Sequence, residues 1–349
     1  MRHKIAFLCV FCHFRRNGKL FYSYALEKKR MKRKKKILIT GGAGFIGRWV
    51  VKRFLEKNCH VWIIDNLENG SEENLSEFEK DNNLRDFLIG DVIKSNDIKP
   101  LFKEKFDICV HLAAQINVHE SLDNPSKSFY SNVIGTYNIL EEAKKNRVKV
   151  VLLGTCMVYD MAGNNGSISE NSPVKPASPY AGCKLAAENI ADSYGHGLGL
   201  PIVILRPFNT YGPFQKSNME GGVVSIFIKN FLENKPLSVF GDGTQTRDLL
   251  YIEDCADFIV RASFSEKANR EVLNAGLGKD IAIKDLAYMI CKDPARIEFI
   301  PHIHPQSEIK KLICNNSKAK KLLNWEPQTS LEEGIEKTKE WIKANYLSV

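Results

Sequence analysis

Residues 36–65 read KILITGGAGFIGRWVVKRFLEKNCHVWIID. The apolar runs KILIT and HVWIID predict two strands, and GRWVVKRFLEKN between them has apolar residues at helical spacing. Gly41, Gly44 and Gly47 form a G-x-x-G-x-x-G turn between the first strand and the helix. Glycine lets backbone N–H groups approach a pyrophosphate, and the start of the following helix favours negative charge. This stretch therefore predicts a dinucleotide-binding site.

The second strand ends at Asp65, where a carboxylate can bind both hydroxyls of a ribose and would repel a 2′-phosphate. NAD is therefore the expected cofactor, and a glycine-rich turn with an incidental capping Asp is the alternative. Asp91 follows the third strand and could instead cap a helix, and the small residues of HLAAQ would leave room for a cofactor. The predicted cofactor-binding residues are Gly41, Gly44, Phe45, Ile46, Gly47, Asp65, Asn66, Asp91, Val92, Ala113, Ala114, Gln115, Tyr180 and Lys184.

The remaining strands of the first half are predicted from continuous apolar runs: RDFLIG, FDICVHLA, VKVVLLGT and PIVILRP. Apolar strands that alternate with helices are typical of a parallel sheet buried on both faces, so we predict an α/β, Rossmann-like, doubly wound fold. After residue 206 the regular alternation of apolar strands and helices stops, and strand-like, turn-like and helical segments are mixed. We expect residues 36–206 to bind the dinucleotide and residues 207–349 to form a smaller mixed substrate-binding lobe, of which about 248–275 returns to the first domain.

The net charge of +9 is concentrated at the N-terminus, where residues 1–36 hold 13 of the 50 Lys and Arg residues and a single Glu. A nucleic-acid-binding domain would need a basic face on its folded body, so no nucleic-acid partner is expected. We expect residues 1–35 to be an extension outside the fold. Its apolar run IAFLCVFCHF is too short to span a bilayer, so no membrane insertion is expected, and a tether to an anionic membrane is the minority alternative.

The nine cysteines are scattered, odd in number and show no paired C-x-x-C metal spacing, which predicts reduced thiols, no metal site and a cytoplasmic location.

Thr155 ends the fifth strand, and Tyr180 and Lys184 follow after a polar loop, four residues apart on one face of a predicted helix. A phenol titrates near ~10 in water, so it needs a neighbouring ammonium and a cationic nicotinamide ring to act as a base near neutral pH. Thr155 can share the proton of a substrate hydroxyl. The spacing alone could be a surface pair, but its place after a dinucleotide turn predicts a catalytic trio.

The chain resembles the extended short-chain dehydrogenase/reductase family of NAD-dependent nucleotide-sugar epimerases and dehydratases over almost everything after Lys36. The resemblance implies an enzyme in which TGGAGFIG, Asp65, Asp91 and LAAQ form the NAD site. It also implies that Thr155, Tyr180 and Lys184 are the catalytic residues, and that Lys184 holds the nicotinamide ribose as well.

The same resemblance extends to the substrate. It implies a nucleotide-diphosphate sugar, with Asn209 of RPFNTYGP and Arg247 of GDGTQTRDLLYIED bound to the diphosphate. A planar guanidinium that can bind two oxygens suits this role. A homodimer that pairs two helices from each subunit is implied as well.

The shared first step of this family is removal of a hydride from sugar C4, which gives a 4-keto intermediate. Cys156 and Met157 stand where the usual 4,6-dehydratases have Asp and Glu, and Met cannot titrate. Ile116 and Asn117 likewise replace a Ser-His pair of the dehydratases. Inversion at C4, as in UDP-glucose 4-epimerase, is therefore the favoured prediction.

Dehydration of the 4,6- or 5,6-type is the alternative, because the Cys156 thiol could replace the usual Asp as an acid. A few relatives with similar Cys-Met sequences are thought to form unsaturated sugars by dehydration. A buried structural Cys156 is the simpler explanation. A non-enzymatic NAD-binding regulatory protein, the third alternative, would have no reason to retain Thr155, Tyr180 and Lys184 together.

Overall fold

A seven-stranded parallel sheet forms the centre of the protein, and its strand order is β10-β6-β5-β4-β1-β2-β3. The chain moves outward from β1 to β3 on one side and from β4 to β6 on the other, so the direction switches between β1 and β4. The predicted Rossmann-like doubly wound sheet is confirmed. Its strands are β1 (Lys36–Thr40), β2 (His60–Asp65), β3 (Leu84–Ile89), β4 (Ile108–His111), β5 (Lys149–Leu153), β6 (Ile202–Pro207) and β10 (Glu271–Ala275).

Two small sheets form the mixed second half, and α-helices cover the central sheet. The small sheets have the orders β11-β9-β7 and β12-β8. Their strands are β7 (Asn209–Tyr211), β8 (Leu237–Phe240), β9 (Thr246–Tyr251), β11 (Asp280–Ala282) and β12 (Ile297–Ile300). The helices are α1 (Phe45–Glu56), α2 (Ser95–Ile98), α3 (Val118–Asp123), α4 (Pro125–Ser128), α5 (Gly135–Asn146), α6 (Pro179–Leu198), α7 (Val223–Leu232), α8 (Ile252–Phe264), α9 (Ile283–Ile290), α10 (Ser317–Leu323) and α11 (Leu331–Tyr346).

The central sheet is buried on both faces because successive strand residues enter different cores. Ile37 and Ile39 belong to one hydrophobic cluster and Leu38 to the other, and all three are fully buried. Helices α1 and α8 supply the first cluster with Phe54 and Phe258, whereas α5 and α6 supply the second. This burial explains why the strands read as continuous apolar runs.

Helix α6 begins and ends at defined signals. The Ser178 hydroxyl accepts a hydrogen bond from the Ala181 N–H at 3.3 Å, and Pro179 occupies the first turn. Gly199 ends the helix in the left-handed region, with φ of +67°. These signals fix the helical register of Tyr180 and Lys184.

The computed structural model describes residues 33–163, 166–217 and 222–346. The described residues from Lys36 onward form one compact unit, and the division predicted within it at residue 207 stays a prediction. Residues 1–32, and with them most of the expected basic extension, lie outside the described residues. Within the described ranges, no helix is both long and apolar enough to cross a membrane.

Candidate active site

A crevice of about 1280 Å³ lies at the carboxyl ends of the central strands, and residues that follow β1, β2, β4 and β5 line it. This is the edge where doubly wound sheets bind their ligands. All the predicted catalytic, cofactor-binding and substrate-binding residues except Gln115 are among its lining residues.

The glycine turn forms one wall of the crevice in a conformation that larger residues cannot adopt. Gly41 has a φ of +72°, and a Cβ there would lie 2.7 Å from the Ala113 backbone nitrogen. A Cβ on Gly47 would lie 2.0 Å from the Gly41 carbonyl oxygen. No side chain caps the start of α1, a helix of 12 residues, so its first N–H groups suit an anion.

The Asp65 side chain lines the crevice and connects the segments that follow β1 and β2 by hydrogen bonds. Its two carboxylate oxygens accept hydrogen bonds from the Ala43 and Leu67 N–H groups, both at 2.9 Å. Burial raises the pKa of Asp65, and these two bonds act in the opposite direction. The remaining acceptor capacity of the carboxylate fits the hydroxyls of a ribose.

Asp91 faces the crevice and does not cap the start of α2, whose N-cap is Lys94 without a side-chain hydrogen bond. Its Oδ1 accepts a hydrogen bond from the Ile93 N–H at 2.9 Å, and its Oδ2 accepts one from the Asn66 side-chain amide at 3.4 Å. Val92, Ala113 and Ala114 line the crevice beside it.

Gln115 does not line the crevice. It is 3% exposed, and its side-chain amide donates to the Asn117 carbonyl at 2.7 Å and to Glu120 at 3.1 Å. Its contacts therefore hold the loop that leads into α3.

Thr155, Tyr180 and Lys184 line the same crevice as the glycine turn. The Lys184 ammonium donates to the Leu153 carbonyl at the end of β5, and the Tyr180 N–H donates to the Ser121 hydroxyl at 3.0 Å. Burial lowers the pKa of Lys184 to about 8, although the nearby Glu188 carboxylate raises it. An ammonium that is close to releasing its proton therefore lies one helical turn from the phenol.

Cys156 is a protonated thiol in the crevice wall. It is 3% exposed, and burial raises its pKa to about 12 although Arg247 acts in the opposite direction. Met157 lines the crevice next to it. A thiol with so high a pKa supplies no thiolate base near neutral pH and is a weaker acid than an ordinary thiol.

The two predicted substrate residues come from the lobe strands β7 and β9. Asn209 has a side-chain oxygen that is buried and lacks a hydrogen-bond partner among the described residues. Arg247 donates through Nη1 to the Thr246 and Ile309 carbonyls, both at 2.8 Å, and through Nη2 to Glu308.

Sequence reasoning missed Glu308, which lines the crevice and contacts both Arg247 and His302. It follows Arg247 by 61 residues, and no local pattern marks it. Among the described residues, no group of three His, Cys, Asp or Glu side chains could hold a metal ion.

Comparison with known proteins identifies the family. The model of the NAD dependent epimerase/dehydratase family matches residues 37–276. The chain belongs to this family. The predicted family, the prediction of an enzyme and the prediction of NAD as cofactor are therefore confirmed.

Individual relatives cover nearly the whole chain. A Methanocaldococcus jannaschii protein named putative UDP-glucose 4-epimerase is 36% identical over 312 residues, which is 88% of this chain and 99% of that protein. A dTDP-glucose 4,6-dehydratase of Salmonella typhimurium is 30% identical over 341 residues, 89% of this chain and 93% of its own. The X-ray structure of Pal from Bacillus thuringiensis is 56% identical with a TM-score of 0.87, covering 88% of this chain and 99% of Pal. The enzyme is thus of the nucleotide-sugar epimerase/dehydratase class.

Proposed function

We propose that the protein is an NAD-dependent nucleotide-sugar epimerase that inverts sugar C4 through a transient 4-keto sugar. The observation that carries this proposal is the presence of Thr155, Tyr180 and Lys184 in the same crevice as the glycine turn. Met157 stands beside them where ordinary dehydration would use a titratable base at C5. Because the family consists of enzymes, an idle NAD-binding regulator is not favoured.

The glycine turn and Asp65 would hold the adenosine end of NAD, with the pyrophosphate at the start of α1 and the ribose hydroxyls on the Asp65 carboxylate. The nicotinamide end would reach Tyr180 and Lys184 along the small residues Ala113 and Ala114. When bound, NAD accepts a hydride from the sugar and returns it.

Tyr180 would take the proton of the C4 hydroxyl. A phenolate is favoured near a positive charge, and the Lys184 ammonium supplies that charge below its pKa of about 8. Thr155, at the end of β5, would share the hydroxyl proton and orient the C4–O bond. Inversion then requires the ketone to turn within the crevice before the hydride returns to its other face.

Asn209 and Arg247 would bind the diphosphate of the substrate. The unpartnered buried oxygen of Asn209 shows that the described residues do not satisfy this side chain by themselves. The guanidinium of Arg247 is held at the crevice wall by two backbone carbonyls, which preorganises it for a phosphate oxygen.

Dehydration is the second candidate, because Cys156 lines the crevice where the usual 4,6-dehydratases have an Asp that serves the leaving hydroxyl. Burial keeps this thiol protonated, so it could supply a proton to a leaving C6 hydroxyl, but its raised pKa makes it a weaker acid than a carboxyl group in that place. Elimination also requires a base at C5, for which Met157 is unsuitable.

A panel of UDP-, dTDP- and GDP-sugars in heavy water tests both candidates, with Tyr180→Phe as the inactive control. Inversion at C4 without deuterium at C5 supports the epimerase. Deuterium at C5 with loss of the C6 hydroxyl supports dehydration and overturns the epimerase. No change in any sugar by the NAD-loaded wild type overturns both.

We also propose that the enzyme is a homodimer. Phe129, Tyr130 and Tyr137 lie on the π-helix Phe129–Ile134 and on α5, and their exposed fractions are 45%, 54% and 45%. Large exposed aromatic residues are typical of association surfaces. Sedimentation of the wild type as a dimer and of a Tyr130→Asp variant as a monomer is expected, and a monomeric wild type would refute the proposal.

A further inference from the structure

A buried ion pair lies behind the catalytic helix and outside the crevice lining. Glu188 and Arg206 are 2% and 6% exposed, and neither contributes to the crevice surface. The Nε and Nη2 atoms of Arg206 donate to the same Glu188 oxygen, Oε2, at 2.9 and 2.6 Å. Burying two charges is unfavourable unless they are paired, so this arrangement calls for a functional explanation.

The pair is adjacent to the catalytic trio through α6. Tyr180, Lys184 and Glu188 are spaced four residues apart, so they form one stripe along the helix. The Lys184 ammonium donates a hydrogen bond to the Leu153 carbonyl, and the Glu188 side chain lies against Gly154, the residue after Leu153. A Cβ built on Gly154 would lie 2.0 Å from Glu188 Oε1, so the carboxylate abuts the backbone that leads to Thr155.

Glu188 also acts on the charge of Lys184. Burial lowers the pKa of Lys184, and Glu188 is the nearby charge that raises it. From β4, His111 faces the same ammonium, and burial together with Lys184 lowers the pKa of His111 to about 3, so His111 stays neutral. From β6, Arg206 engages Glu188 and lies over the Tyr159 ring, 4.7 Å from its centroid.

We propose that Glu188, anchored by Arg206, is a positioning residue for the reaction, which holds the end of β5 against α6 and keeps the Lys184 ammonium charged beside Tyr180. This inference rests on the proposed function of the trio. A neutral residue at position 188 would leave the fold of the sheet intact but weaken the support that Thr155 and Lys184 receive beside the Tyr180 phenol.

The main test removes the ion pair without leaving an unpaired buried charge. In Glu188→Gln combined with Arg206→Met, both positions keep most of their volume and lose their charge. Glu188→Asp retains the charge and serves as the rescue variant. Asp192→Asn, one helical turn further along α6 and on its exposed side, is the matched control for loss of a carboxylate.

The first readout is the titration of Lys184, followed by NMR on lysine labelled with ¹³C at Cε and assigned with Lys184→Met. In the double variant we expect the pKa of Lys184 to fall by roughly one unit, because the nearest opposite charge is gone. Glu188→Asp should recover most of that fall, and Asp192→Asn should leave the pKa unchanged. An unmoved Lys184 titration in a folded double variant would overturn the inference.

The second readout is the pH dependence of C4 inversion of a nucleotide sugar. The alkaline limb depends on the charged form of Lys184, so it should move to lower pH in the double variant, with a roughly tenfold loss of kcat on that limb and an unchanged KM. A uniform loss of activity with the wild-type pH profile would overturn the positioning role. If the lysine titration shifts as expected while the wild type inverts C4 of no nucleotide sugar, the proposed function fails and the effect of Glu188 on Lys184 stands.

Discussion

Substituting Gly47 by Ala should separate the start of α1 from the glycine turn. The added Cβ would meet the Gly41 carbonyl oxygen at 2.0 Å, the Gly42 Cα at 2.7 Å and the Gly41 carbonyl carbon at 2.9 Å. All three are backbone atoms, so none can move aside as the end of a flexible side chain would. The shortest of these distances must grow to at least 3.0 Å, which requires the helix to retreat from the turn.

The cost follows from the packing of this region. Overpacking of a close-packed interior costs about 1–3 kcal/mol, and here the neighbours are rigid backbone, so we expect the upper part of that range. The movement of α1 away from the glycine turn also displaces the N–H groups proposed to bind the pyrophosphate. A loss of about 1.4 kcal/mol of binding free energy for NAD would weaken its affinity tenfold, and we expect at least that loss.

Thermal unfolding and titration calorimetry with NAD measure the two effects separately. Gly197→Ala in α6 is the matched control, because a Cβ there meets nothing within 4 Å. It should leave NAD binding unchanged and stabilise the protein by about 0.5–1 kcal/mol, since alanine favours a helix over glycine. Wild-type stability and NAD affinity in Gly47→Ala would refute the assignment of this turn.

Three further predictions concern the crevice. Tyr180→Phe should bind NAD normally and lose kcat by a factor on the order of 10²–10⁴, measured as C4 inversion, and retained turnover would remove Tyr180 as the base. Cys156→Ala should leave C4 inversion unchanged, whereas dehydration by the thiol would appear as deuterium uptake at C5 that falls on the order of 10²-fold in this variant. The pKa of Lys184 is about 8 in the folded protein and near 10.5 in the unfolded chain, so between these pH values the unfolded chain holds a proton that the folded protein has released. Stability of the wild type relative to Lys184→Met should therefore rise with pH over this window, by up to roughly 3 kcal/mol, in denaturant unfolding; a constant difference between the two would contradict the buried position of the ammonium.

The features that could be predicted from the sequence are those fixed by local chemistry. Strands such as β1 read as apolar runs because both faces of the sheet are buried, and the Gly41–Gly47 turn has a spacing that only close backbone contact explains. Helix α6 is marked by Ser178 and Pro179, so the placement of Tyr180 and Lys184 followed from the chain itself.

The features that could not be predicted depend on contacts between distant residues. Glu308 reaches Arg247 across 61 positions, and Arg206 reaches Glu188 from a neighbouring strand, so neither partner has a local signal. Gln115 lies in a motif of small residues that face the crevice, but hydrogen bonds turn its own side chain into the loop behind them.

The strand order also has a consequence for how the protein is made. The edge of the central sheet beyond β6 is filled by β10, which is synthesised only after all the residues from β7 to α8 have left the ribosome. Until then β6 presents an open row of backbone N–H and C=O groups, a template for mispairing. A chain cut after residue 207 should retain this exposed edge permanently and aggregate, so the nucleotide-binding half cannot be isolated by simple truncation.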